Sequence, residues 1–170
     1  NRAFVGRFQD EARLVVRLNH PQIARVYEMG DVAGEYFLAM EYVRGKTVSR
    51  FTRRLREQNT PLPLGLALLI GELVCEGLAY AHQAKDEHGQ PLFLVHRDLS
   101  PANVCVSYDG DVKIIDFGAA QSSIKLEHTA PRIVIGNLSY MAPEQAKKLP
   151  VDGRADLYSV GVMLWELITW

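Results

Sequence analysis

Two carboxylates and a carboxamide stand close together in the middle of this chain. Asp98 and Asn103 lie five residues apart in Val95-His96-Arg97-Asp98-Leu99-Ser100-Pro101-Ala102-Asn103, and Asp116 follows in Asp116-Phe117-Gly118. Oxygen donors of this kind suit a hard divalent cation, and a positioned carboxylate can also accept a proton. Three such side chains on one small loop-and-hairpin unit therefore point to metal and proton handling. His96 reads differently, as a packing residue against apolar Phe117.

The surrounding elements must hold those side chains in place. Residues 104–108 and 112–115 read as short strands joined through Asp109-Gly110, a strong hairpin signal, so Asp116 is held at a strand end. Upstream, 7–18 has helical spacing, and Pro21 stops it. Residues 23–29 and 36–43 read as two strands around a turn at 30–34. A basic helix over 47–58 carries Arg50, Arg53, Arg54 and Arg56 and reads as a solvated face. Pro61 and Pro63 open a helix over 64–83, expected to be mostly buried through Leu66, Leu69, Ile70, Leu73, Val74, Leu78 and Ala81. Residues 119–139 hold no period and are too long for a plain connector, which marks a functional loop. Residues 156–169 are apolar nearly all round and predict a helix buried in a larger domain.

Composition narrows the class. With 170 residues, 48% apolar and 23% charged, the chain has the makings of one globular core. A net charge of -1 argues against nucleic acid or an anionic membrane as the main partner. Glu72, Glu76 and Gly71, or Ser159 and Glu166, interrupt the apolar runs before the roughly 18 residues that a membrane span needs, so no membrane contact is expected from this segment. No signal peptide is read, and the setting expected is cytoplasmic, with any anchor lying in regions outside the chain. Cys75 and Cys105 are isolated in apolar runs and read as buried reduced thiols. Beginning at Asn1 and stopping at Trp170 inside a helical pattern, the chain reads as a piece of something longer.

The order and spacing of His96-Arg97-Asp98-Leu99, Asn103, Asp116-Phe117-Gly118 and Ala142-Pro143-Glu144 resemble the protein-kinase signature set. Gly136-Asn137-Leu138-Ser139-Tyr140-Met141-Ala142-Pro143-Glu144-Gln145 and 156–161 are most similar to the eukaryotic-like (Hanks-type) bacterial serine/threonine kinases. The resemblance implies an α+β kinase-like fold, present in part: 1–43 as part of the N-lobe, and 44–170 as the first half of a mainly helical C-lobe. It implies ATP with Mg²⁺, Mn²⁺ being an alternative ion, and a protein substrate offering a Ser or Thr hydroxyl. Asp98 would be the base, and Asn103 and Asp116 the metal ligands. Glu11 would pair with the ATP-binding Lys. Met40 would be the gatekeeper, Glu41, Tyr42 and Val43 the adenine-binding hinge, and Cys105 would lie under the adenine. Val15, Val26, His96 and Phe117 would form a column anchored at Asp156. Arg97 would pair with a phosphate on the activation loop, for which Ser122, Ser123, Thr129 and Ser139 are candidates, Thr129 preferred. Glu144 would pair with a partner beyond residue 170.

Two departures touch one microenvironment. Ser100 stands where these kinases usually carry a Lys that contacts the transferred phosphate, and Asn137 where they carry a Thr that braces it. A short neutral hydroxyl cannot replace a point charge. The readings left open are a weakened enzyme, an altered acceptor preference, and a pseudokinase or scaffold that binds partners without turnover. An aminoglycoside- or choline-phosphotransferase relative would share the fold and a similar loop, but Ala142-Pro143-Glu144 and the long activation segment argue against it. No Gly-rich phosphate loop or Lys precedes Glu11, so residues 1–170 alone are expected not to phosphorylate anything.

Overall fold

The computed structural model describes residues 16–33, 35–117 and 138–169. Its elements run β1 (Val26–Val32), β2 (Glu35–Met40), β3 (Gly45–Thr47), α1 (Val48–Glu57), α2 (Leu64–His82), β4 (Val104–Ser107), β5 (Val112–Ile114), a short α3 (Pro143–Ala146) and α4 (Arg154–Thr169). Mixed helix and sheet is what the sequence predicts. The two sheets are an antiparallel β1-β2 hairpin and a three-stranded β3-β4-β5 sheet.

The first hairpin differs from expectation in its bounds. Gly30 and Gly34 suggest a turn, yet the strand runs through Gly30 to Val32 and the chain reverses at Ala33, φ 55°. Gly30 stays in the strand because Phe37, its cross-strand partner, lies over it, where a Cβ would meet the ring at 2.4 Å. Ile23 stands outside β1. It bridges to Ile114, with the Ala24 amide donating to the Ile114 carbonyl at 2.8 Å and the Ile114 amide to Gln22 at 2.7 Å. Residues 22–24 are thus tied to β5, the strand leading to Asp116.

Strand β3 carries no sequence signal beyond Gly45, whose missing side chain lets it approach β4: a Cβ there would meet the Val106 carbonyl at 2.0 Å. The β4-β5 hairpin forms as the sequence predicts, with Gly110 at φ 97° in its turn. Helix α1 matches its predicted span closely. Val48 buries its first turn, and the Ser49 amide donates to the Pro101 carbonyl at 2.9 Å, binding the helix to the Asp98 loop.

Helix α2 forms as predicted but is not mostly buried. Ala67, Ile70, Gly71, Val74, Gly77, Leu78 and Ala81 make its inner stripe, while Leu64, Leu66, Leu68 and Leu69 are exposed. With 19 residues at mean hydropathy 1.7 it is long and apolar enough to cross a membrane, contrary to the sequence reading. Here its inner stripe joins the core with Ile114 and Met163. Helix α4 likewise buries one face, through Ala155, Asp156, Ser159, Val160, Met163 and Leu167, and exposes Leu157, Tyr158, Trp165 and Ile168. Burying these apolar stripes, at about 25 cal/mol per Å², is the main force holding the loop that carries Asp98.

Candidate active site

The loop over 94–103 is fastened from below by one buried carboxylate. Asp156, on the first turn of α4, is fully buried. It accepts the amides of His96 and Arg97 at 2.8 Å each, and His82 Nε2 donates to it at 2.8 Å from the end of α2. This fixes the sharp bend at Arg97, whose φ of 65° is left-handed for a residue with a side chain. Asp156 is the anchor the sequence predicts.

His96 is fully buried and serves as a bridge. Its Nδ1 accepts the Asp98 amide at 3.3 Å, so the proton sits on Nε2 and is donated to the Ile115 carbonyl at 3.3 Å. Burial pushes its pKa below the ordinary value, against the pull of the Asp156, Asp98 and Asp116 charges and the Ile115 carbonyl. The ring meets Phe117 edge-on, centroids 4.8 Å apart, and Val26 lies in the same buried cluster. Of the predicted column, His96 and Phe117 are in contact and His96 is tied to Asp156, Val26 shares the buried core, and Val15 lies outside the described residues.

Around this support the three chemistry-bearing residues converge. Asn103 Nδ2 donates to the Asp98 carbonyl at 2.6 Å, its own amide reaches Ser100, and its carbonyl accepts the Ile115 amide at 2.8 Å. The last bond places Asn103 beside the residue preceding Asp116. Because Nδ2 is spent on Asp98, Oδ1 is turned the other way as the acceptor. Asp116 is exposed, at φ 63°, and its charge, like that of Asp98, reaches the His96 ring. Backbone strain of order 1–3 kcal/mol at a residue like Asp116 persists only where the surroundings enforce it. Among the described residues no group of three or more His, Cys, Asp or Glu side chains could hold a metal. One exposed carboxylate and one amide oxygen instead fit Mg²⁺, which takes few protein ligands and completes its shell with phosphate and water oxygens.

The predicted hinge residues leave β2 in line. Met40 packs partly buried against the core and Tyr42 is highly exposed. The Glu41 amide donates to the Arg25 carbonyl at 2.7 Å, tying the hinge to the residue before β1. Cys105 is buried in β4, between Thr47 and Lys113 on the flanking strands. Both cysteines are free, and burial pushes both thiols up, Lys46 partly opposing this at Cys105. Cys105 is buried as predicted, whereas Cys75 is only half-buried.

Beyond 137 the chain returns to the loop. Gln145, given no role of its own in the sequence, accepts the Ala142 amide at 3.2 Å through Oε1 and donates through Nε2 to the Arg97 carbonyl at 2.8 Å. Ser159 donates to the Tyr140 carbonyl at 2.7 Å. The Tyr140 hydroxyl donates to Glu166, which also accepts Arg56 Nη2 at 2.9 Å. Burial, then the Glu166 carboxylate, pushes the Tyr140 phenol far up. Helix α1 is therefore not simply a solvated basic face: Arg53 and Arg54 pair with Glu57 at its surface, but Arg56 turns inward. Glu144 is half-buried and its carbonyl accepts the Leu149 amide at 2.9 Å. Glu11, Thr129, Ser122, Ser123 and Asn137 lie outside the described residues.

A fastened loop carrying an Asp and an Asn, set against a strand that leads to Asp116 and Phe117, is the arrangement of a protein kinase. Residues 3–170 match the protein kinase domain family, and the chain belongs to it. It is 44% identical, over 99% of its length, to the tyrosine-protein kinase MasK of Myxococcus xanthus. It is 38% identical to the serine/threonine-protein kinase PknL of Mycobacterium tuberculosis and 35% to PrkC of Bacillus subtilis, over 98% of its length in both cases. The crystal structure of the M. tuberculosis PknI kinase domain superposes with a TM-score of 0.74 at 34% identity, covering 99% of this chain. The chain spans 26% of MasK, 39% of PknL and 58% of that PknI domain. Its bacterial Hanks-type character and kinase fold are thus established.

Proposed function

We propose that the chain is the central part of a Mg²⁺-ATP-dependent kinase that phosphorylates a Ser or Thr hydroxyl on a protein substrate. The observation that carries this is the joint fastening of Asp98 and Asn103 through His96 and Asp156, with the Asn103 carbonyl accepting the amide of Ile115, the residue before Asp116. Asp98 takes the proton of the attacking hydroxyl; its amide is held by His96 and its carbonyl by Asn103, which aims the carboxylate outward. A base so placed contributes about 10²- to 10⁴-fold in rate. Asp116 and Asn103 Oδ1 would hold the Mg²⁺, which when bound neutralises charge on the β- and γ-oxygens. The hinge backbone at Glu41, Tyr42 and Val43 would bind the adenine, with Cys105 beneath it. The reading divides the chain at Val43 into N-lobe and C-lobe parts and suits a cytoplasmic setting, in keeping with two reduced thiols. Residues 1–170 alone are proposed to be inactive.

One relative favours a second reading, in which tyrosine is an acceptor. MasK is named a tyrosine-protein kinase, and Ser100, 4% exposed, presents a short side chain where a Lys would crowd and charge the acceptor side. Incubating the intact kinase with radiolabelled ATP and Mg²⁺, followed by phosphoamino-acid analysis, separates these. Phosphoserine and phosphothreonine support the first reading and phosphotyrosine the second. No incorporation at all would leave a partner-binding scaffold.

A further inference from the structure

Glu41 contributes backbone to the hinge, and its side chain does something else. Oε1 lies 3.0 Å from Lys113 Nζ; Oε2 lies 3.3 Å from the same nitrogen and accepts the Arg25 amide at 3.1 Å. Since the Glu41 amide returns to the Arg25 carbonyl, the two residues are joined in both directions where β1 begins and β2 ends. The carboxyl sits below its ordinary range: burial alone would raise it, and the Arg25 amide and Lys113 ammonium outweigh that.

Lys113 is the middle residue of β5. Val112 and Ile114 on either side are buried in the core, so strand alternation sends Lys113 to the other face. Its direct partner on β4 is Cys105, and opposed residues share a face. Lys113 therefore stands beside the floor of the adenine slot and reaches from that floor to the hinge. Its side chain is 16% exposed and that of Glu41 26%, so solvent and salt screen the pair less than a surface pair. Three residues further on is Asp116.

We infer that Lys113 and Glu41 are positioning residues for the nucleotide: their ion pair sets the spacing between the hinge backbone and the Cys105 floor. The inference rests on the kinase reading. An adenine ring fills that slot only at a fixed width, and small misplacements in a binding site carry large costs. The acceptor hydroxyl approaches at the other end, beside Asp98. The pair therefore governs nucleotide affinity more than acceptor affinity.

The test uses the intact kinase and a ribose-labelled fluorescent ADP as probe. In Lys113→Met the probe Kd and the KM for ATP rise about tenfold, the effect of losing one charge-assisted hydrogen bond. The KM for a peptide acceptor moves less than twofold, and kcat falls far less than the ATP KM rises. Lys113→Arg restores nucleotide affinity to within about threefold of wild type. Glu41→Gln keeps an acceptor for the Arg25 amide and loses only the charge, so it reproduces the affinity loss even if Lys113→Met fails to fold. Unchanged probe affinity in both variants overturns the inference while leaving the kinase reading intact, as does an equal loss in kcat and acceptor KM. A wild-type protein that does not bind the probe overturns both.

Discussion

Replacing Asp156 with asparagine keeps the size and shape of the side chain but removes its charge and one of its two acceptor oxygens. In the structure Oδ2 accepts His96 N and His82 Nε2, and Oδ1 accepts Arg97 N, all at 2.8 Å, the Asp156 side chain itself being fully buried. With the amide oxygen kept at the Oδ2 position, two bonds to a carboxylate become bonds to a neutral group, each weaker by about 1 kcal/mol. The new NH2 then faces the Arg97 amide, leaving a buried donor unsatisfied at about 1–3 kcal/mol more. The total is about 3–5 kcal/mol, a large share of the 5–15 kcal/mol that holds an ordinary domain together. Flipping the amide is worse, because two donors are then opposed. Urea unfolding of the intact kinase, wild type beside Asp156→Asn, measures this as a fall in midpoint of roughly 2 M at an ordinary slope. Phosphoryl transfer falls with it, since the Arg97 bend aims Asp98. A change of less than 0.5 kcal/mol with full activity would refute the claim that Asp156 fastens the loop.

Other consequences follow from single residues. His96 has a folded pKa below its unfolded value of about 6.5, so below that pH the unfolded chain binds more protons and stability falls as the pH drops. Urea midpoints between pH 7.5 and 5.5 should decline for the wild type and less steeply for His96→Phe; equal slopes would sink the assignment. Gly110→Ala should cost about 1 kcal/mol, from its φ of 97° alone, since nothing lies within 4 Å of the added carbon. Gly45→Ala should cost about 2–3 kcal/mol, because the added carbon meets the Val106 carbonyl and β3 must leave β4. Thermal or urea unfolding ranks the two, and the reverse order would contradict the strand geometry.

What the sequence made legible was whatever local chemistry dictates. Asp109-Gly110 announced its hairpin, Pro61 and Pro63 the start of α2, and the spacing of Asp98, Asn103 and Asp116 the site. It misled where a distant residue overrides a local signal. Gly30 reads as a turn until Phe37 covers it from the next strand. Arg56 reads as one more surface charge until Glu166, 110 residues away, is found beside it. Gln145 and Lys113 gave no signal because a single polar side chain has no period; each acquires meaning only from a carbonyl or carboxylate that the fold brings near. Leu64, Leu66, Leu157 and Trp165 carry the composition of buried helices but lie on outer faces here.

Asp98 is proposed as the base of a phosphoryl-transfer site supported by Asn103 and Asp116. The direct measurement is the initial rate of phosphate transfer from ATP and Mg²⁺ by the intact kinase, wild type beside Asp98→Asn. Asparagine keeps the shape and the backbone bonds to His96 and Asn103 but cannot take the proton. The expected result is a loss of about 10²- to 10⁴-fold in kcat with nucleotide affinity within about twofold of wild type. Equal rates in the two proteins would contradict it.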